Sequence, residues 1–254
     1  VSAASEIVFD HVGKIFERAG EPELEAIRDL SFSVKRGELV IILGKTGCGK
    51  STTFNLLSGL LRPSSGSVRV QGHDPFAEFE WFRGKISIVF QNDRLMPWRT
   101  AIENVALGLE LNKMPRTERL DLAESWLKRL GLDGHAKDYP HALSGGMRQR
   151  VSIARAFAVR PDILLCDEPF SALDEVTGNA LRSELVELLR ETQATSIFIT
   201  HSIEEALRLG SRVLVFERPA RIAYEASLDP SMNQATREGV RADILRVLAG
   251  ELAA

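Results

Sequence analysis

One eight-residue stretch, Gly44-Lys45-Thr46-Gly47-Cys48-Gly49-Lys50-Ser51, constrains this chain more than any other. It fits G-x-x-x-x-G-K-[ST] and lies between two ordered-looking segments. Before it runs the apolar strand Leu39 to Leu43; after it, Lys50 to Leu61 has helical spacing through Phe54, Leu57 and Leu60 or Leu61. A strand that feeds a glycine loop and then a helix belongs to an α/β core. Gly44, Gly47 and Gly49 let the backbone wrap an anion in conformations that other residues resist. The N–H groups then point inward, helped by the positive end of the following helix. Lys50 would bridge the β- and γ-phosphates of a nucleotide, Ser51 would place its hydroxyl on Mg²⁺, and Thr52 would add a donor near the α-phosphate. Lys45 either adds charge near the phosphates or faces solvent.

Two further segments fit the same chemistry. Ile163-Leu164-Leu165-Cys166-Asp167-Glu168 is an apolar strand ending in paired carboxylates, and it resembles the Walker B pattern. Asp167 would hold Mg²⁺, usually through water. The chain turns at the strand end, so Glu168 can face the γ-phosphate and deprotonate or orient the attacking water. Leu143-Ser144-Gly145-Gly146-Met147-Arg148-Gln149-Arg150 reads as a helix start, with Ser144 as N-cap and N–H groups at Gly145 and Gly146 left uncovered. It lies far in sequence from the phosphate loop, so a second copy of the chain could bring it to the γ-phosphate. ATP is then held between two copies.

The rest of the chain supports one large domain, 1–254, with a helical insertion. Ile7 to Phe16, Ala26 to Val34, Val68 to Val70 and Ile86 to Phe90 are strand candidates, with turns at Arg18 to Glu23, Lys35 to Glu38 and Arg62 to Ser67. From Thr100 to Arg160 the spacing is helical. Asp162 to Asp167, Thr195 to Thr200 and Arg212 to Phe216 return to strand, separated by helices at Glu175 to Arg190 and Ser202 to Leu209. Pro219 to Tyr224 fits an edge strand, and Asn233 to Leu252 a terminal helix. The expected division is an α/β nucleotide core (1–90 and 161–224), a helical lobe (91–160) and a C-terminal helical extension (225–254).

Bulk properties narrow the class. The chain has 254 residues and a net charge of −3, which gives no nucleic-acid footprint. No apolar run nears the roughly 20 residues of a membrane span, and Val1 to Phe9 shows no secretory pattern. Its two cysteines, Cys48 and Cys166, both sit inside nucleotide motifs, which argues for a reducing compartment. Cys48 near a helix N-terminus is a candidate thiolate, protectable by ATP.

With these motifs in this order, the chain from about Ile7 to Ala223 resembles the nucleotide-binding subunit of an ABC transporter. The resemblance implies a P-loop NTPase core of mostly parallel sheet flanked by helices, an antiparallel β region and an inserted helical subdomain. It implies an ATPase using ATP and Mg²⁺. Gln91 would contact Mg²⁺ and the attacking water; His201 would hydrogen-bond the γ-phosphate; Asp174, in Ser171-Ala172-Leu173-Asp174, would lie at the dimer seam. An aromatic from the first strand region stacks on adenine in this family; Phe16 is the candidate, and a core phenylalanine is the competing reading. Ser202 stands where many relatives have Asp, and Lys45-Thr46 where many have Pro-Ser.

Leu95-Met96-Pro97-Trp98 is costly to expose in a loop. It reads as a docking surface for a membrane permease subunit or as local packing. With Pro169 to Thr177 and Arg218 to Ile222, it resembles the nitrate/sulfonate/taurine importer branch; another small organic anion or vitamin precursor is the alternative solute. That branch implies permease subunits, an external solute-binding protein met indirectly, and a peripheral place on the cytoplasmic face of the inner membrane. An ABC ATPase acting on DNA or ribosomes would carry long coiled-coil insertions or fused cassettes, and neither is present. A small-molecule kinase would leave residues 143–150 without a task.

Overall fold

Antiparallel pairing of β1 (Ser5–Phe16) with β2 (Leu24–Lys35) and β4 (Ser65–Val70) builds a three-stranded sheet in the order β2-β1-β4. The structure, a computed structural model, describes residues 5–17, 20, 22–229 and 231–250. Its contacts fall into two units, one drawn from Val1–Phe82 with Thr195–Ala254, the other Arg83–Ala194. The strands Ile86–Val89 and Ile163–Asp167 therefore group with the helices between them. In the small sheet Ile7 and Phe9 face inward with the period of two, and Val12 rejoins the buried face after a register irregularity between Phe9 and Val12.

The second sheet of the first unit centres on β3 (Leu39–Gly44). It pairs in parallel with β7 (Thr195–Thr200) on one side and β8 (Arg212–Glu217) on the other, and β9 (Arg221–Ser227) closes the edge antiparallel to β8. Val40, Ile41, Ile42 and Leu43 are buried, because a parallel strand is covered on both faces and needs no polar alternation. Leu43 pairs with Thr200 and Gly44 with Phe216, so the phosphate loop and His201 leave the sheet at the same carboxyl edge. That edge is where open α/β sheets bind ligands.

Three sequence expectations in this unit need correcting. The helix α1 runs only Lys50–Leu57, not to Leu61. Gly59 adopts φ +71 and a Cβ there would meet Pro75 O at 2.2 Å, so the chain must turn. Leu60 is left 63% exposed outside the core. The turn expected at Arg62 to Ser67 is strand from Ser65 onward, because pairing with β1 overrides turn composition. β9 starts two residues later than the expected edge strand and ends three later, since Ala220 is held instead against β2: its N–H donates to Ala26 O (2.9 Å) and its carbonyl accepts from Arg28 N (3.1 Å).

The helix α7 (Ile203–Leu209) follows β7, and α8 (Gln234–Ala249) packs on the same unit. Asn233 caps α8 by accepting from Thr236 N at 2.8 Å, Ile244 is fully buried, and Arg237 donates to Leu207 O at 3.1 Å. The extension is thus a packed part of the unit as far as Gly250. Leu252, and Arg18, Ala19 and Glu21 of the expected turn, lie outside the described residues.

In the second unit β5 (Ile86–Val89) pairs in parallel with β6 (Ile163–Asp167). Around them lie α2 (Ala101–Val105), α3 (Leu107–Leu111), α4 (Arg116–Arg129), α5 (Gly145–Ala158) and α6 (Glu175–Thr192). The α5 face through Val151, Ala154 and Ala158 is buried, with Phe157 against Trp126 of α4. Among the described residues no helix is long and apolar enough to cross a membrane.

Candidate functional site

The phosphate loop braces itself. Lys50, 7% exposed, donates its ammonium to Gly44 O (2.7 Å) and Lys45 O (3.1 Å), and Cys48 N–H closes a turn onto Lys45 O. Its three glycines have different reasons. A Cβ on Gly44 would meet Cys48 Sγ and Phe216 O, both at 2.7 Å. Gly49, at φ +107, would drive a Cβ into Ala26 O at 2.7 Å and Ala220 Cβ at 2.6 Å. Gly47, at φ +81, faces open space. The loop is wedged from below and open above, the shape of a cradle for an anion. Lys45, Thr46 and Ser51 are exposed, and Thr52 half-buried.

His201 stands exposed just beyond β7, at the same sheet edge. Phe16, at the end of β1, is half-exposed, and Lys14 Nζ lies 5.2 Å from its ring centre. It is therefore neither a core residue nor fully solvated.

The second unit holds the remaining candidates. Val89 pairs with Cys166, so Gln91 and the Asp167–Glu168 pair leave β5 and β6 at one end. Gln91 is exposed; both carboxylates are half-buried. Glu168 has φ +45, an uncommon backbone for a non-glycine residue, and Ser171 steadies it by donating its N–H and hydroxyl to Glu168 O. Strain of this kind persists where surrounding structure enforces it, and it concentrates at active sites.

Ser144 caps α5 as expected, its hydroxyl oxygen accepting Met147 N–H at 3.3 Å. Gly145 and Gly146 open the helix, so their N–H groups lie outside its internal ladder. A Cβ on Gly146 would meet Thr177 Cγ2 at 2.6 Å. Asp174 caps α6 by accepting Thr177 N–H at 3.0 Å, which holds its carboxyl below the usual carboxylate range. Beside it Val176 is 81% exposed.

The sequence reading missed how α5 grips the loop after Gln91. Arg148 pairs with Asp93 at 2.9 Å, Gln149 donates to Phe90 O, and Arg155 donates to both Asp93 O and Arg94 O. These three side chains tie residues 90–94 to the helix capped by Ser144. Buried Asn104, also missed, fixes the next stretch: its side chain accepts from Met96 N and donates to the carbonyls of Met96, Arg99 and Thr100. One signal for it was legible, the capping box Thr100-x-x-Glu103 that starts α2.

This arrangement corrects the docking surface. Leu95 is only 8% exposed and belongs to the interior. Met96 is half-buried, whereas Trp98 is 71% exposed at the rim of a groove of about 790 Å³ lined by Arg99, Ile102, Glu110 and Arg119.

The cysteine expectation is corrected too. Cys48 is 3% exposed, and burial pushes its thiol pKa up, outweighing the nearby Lys50 charge. Cys166, fully buried beside Asp167, is pushed up further. Burial of this kind disfavours the thiolate, the reactive form of cysteine. A thiol reagent counted by mass spectrometry is expected to leave both unmodified in the native protein and to label both in denaturant. Rapid native labelling of Cys48 would contradict this.

Residues 27–171 match the family model described as ABC transporter. The chain belongs to this family. It is 44% identical over 224 residues to the taurine import ATP-binding protein TauB of Rhizobium johnstonii, covering 87% of this chain and 81% of that one. It is 40% identical over 214 residues to the nitrate import ATP-binding protein NrtC of Synechococcus elongatus, covering 82% of this chain and 31% of that one. The fold superposes on the ATP-binding cassette MJ0796, solved as a dimer in a post-hydrolysis state bound to ADP and phosphate. The TM-score is 0.78 at 35% identity, over 88% of this chain and 99% of that one. This ABC protein is an ATP-binding cassette that hydrolyses ATP to drive transport.

Proposed function

We propose that this subunit works as a head-to-tail pair, each phosphate loop completed by Ser144, Gly145 and Gly146 of the other copy. The carrying observation is that one chain presents two backbone anion cradles, the loop at 44–51 and the N-terminus of α5. In this reading Lys50 holds the β- and γ-phosphates, Thr52 the α-phosphate, and Phe16 stacks on adenine. Gln91 and His201 touch the γ-phosphate and the attacking water, and Asp174 lies at the seam. Glu168 takes a proton from that water as its oxygen bonds to the γ-phosphorus and the bond to the β–γ bridging oxygen breaks, which yields ADP and phosphate.

The donor set fits Mg²⁺. Ser51 hydroxyl, Gln91 amide and Asp167 carboxylate offer hard oxygens, the donor chemistry Mg²⁺ takes. Mg²⁺ bound with few protein ligands and substrate phosphates has this character, and it supplies charge neutralisation on the phosphates.

The membrane partner is a permease, seated at Trp98, Met96 and the adjoining groove. Its solute-binding protein touches this chain only indirectly, and the subunit sits on the cytoplasmic face of the inner membrane. Relatives of similar identity are named for taurine, nitrate and glycine betaine. The solute is therefore a small polar molecule such as nitrate, a sulfonate or taurine, chosen by the other subunits. The test is hydrolysis at increasing dilution, with Ser144→Arg alongside. The specific rate should fall as the dimer separates, and Ser144→Arg should abolish it while ATP still binds. A monomer that hydrolyses at the undiluted rate, indifferent to Ser144→Arg, would sink the shared site.

A further inference from the structure

We infer that Glu205 and Thr200 are positioning residues that fix the turn presenting His201. Glu205 lies in the first turn of α7, yet it is only 8% exposed, while its neighbour Glu204 is exposed. Thr200, 1% exposed at the end of β7, donates its hydroxyl to Glu205 Oε2 at 2.5 Å. The same hydroxyl oxygen accepts Ser202 N–H at 3.0 Å, and Ser202 Oγ accepts Glu205 N–H at 3.2 Å. Three hydrogen bonds thus close a ring around the backbone of His201. Burying a carboxylate is costly, and an aliphatic side chain would fill the position more cheaply. Glu204 already supplies the favourable charge at the helix start. What Glu205 adds is direction: it anchors the strand end to the helix, so the residue between them has one backbone path. At its other end α7 is held by Arg237 donating to Leu207 O.

This inference rests on the reading of His201 as a γ-phosphate contact, and the experiment separates the two. ATP turnover and nucleotide affinity are measured for Glu205→Ala, Glu205→Gln, Thr200→Val and Thr200→Ser, and for Glu205→Ala combined with His201→Ala. Glu205→Ala and Thr200→Val should each lower kcat by roughly tenfold, the size of one lost hydrogen bond to a charged group. ATP affinity should hold. Glu205→Gln and Thr200→Ser should recover most of the rate, because an amide oxygen still accepts and serine still donates. Added to His201→Ala, Glu205→Ala should cost nothing more. A full further loss in that background, or Glu205→Gln as slow as Glu205→Ala, overturns the positioning role alone. Undiminished turnover in His201→Ala by itself overturns the reading of His201, and the positioning role falls with it.

Discussion

Glu168→Gln is expected to bind ATP as the parent does and to lose nearly all turnover, while a closed dimer accumulates. The amide keeps the shape of the side chain and its place at the end of β6, but it cannot accept a proton. General-base catalysis contributes about 10²–10⁴-fold, so kcat should fall by that order. The left-handed backbone at φ +45 is as strained for Gln as for Glu, so folding should be unchanged. In the proposed shared site the dimer should follow, because ATP would favour the closed state and hydrolysis would release it. Single-turnover kinetics and gel filtration with ATP check both halves. Full turnover would remove Glu168 from the reaction.

Gly49→Ala is expected to weaken nucleotide binding far more than Gly47→Ala, although both glycines have positive φ. At Gly47 the new methyl meets nothing within 4 Å, so the cost is the left-handed backbone alone, about 1–2 kcal/mol. At Gly49 the methyl also collides with Ala26 O and the Cβ of Ala220. Both are held in place, since Ala220 and β2 are joined by backbone hydrogen bonds. The loop must move instead, and overpacking of this kind adds about 1–3 kcal/mol. If the whole cost falls on the loop conformation that binds phosphate, affinity drops by roughly 30-fold or more. Titration of each variant with a fluorescent ATP analogue reads the difference. Equal affinities would show that the wedge against Ala26 and Ala220 does not shape the loop.

Local chemistry announced much of this protein. A phosphate loop works through residue types at fixed short spacing, so Gly44 to Ser51 identified their own strand and helix. Ser144 and Asp174 are caps, and a cap is a bond to a residue three positions on. Helix ends and edges were less legible: α1 stops at Leu57, and Gly59 then turns the chain at φ +71, where an added Cβ would meet Pro75 O.

Residue types at short spacing were enough to reach the ABC family and its nucleotide chemistry, because those depend on neighbours in the chain. Which side chains are accessible, and what holds them, followed from packing between segments distant in the chain. Leu95 turned inward while Trp98 stayed out, Cys48 was buried and its thiol pKa pushed up, and Asn104, Arg155 and Glu205 became structural anchors. Burial and long-range hydrogen bonds depend on what folds against a residue, and spacing along the chain carries no record of that.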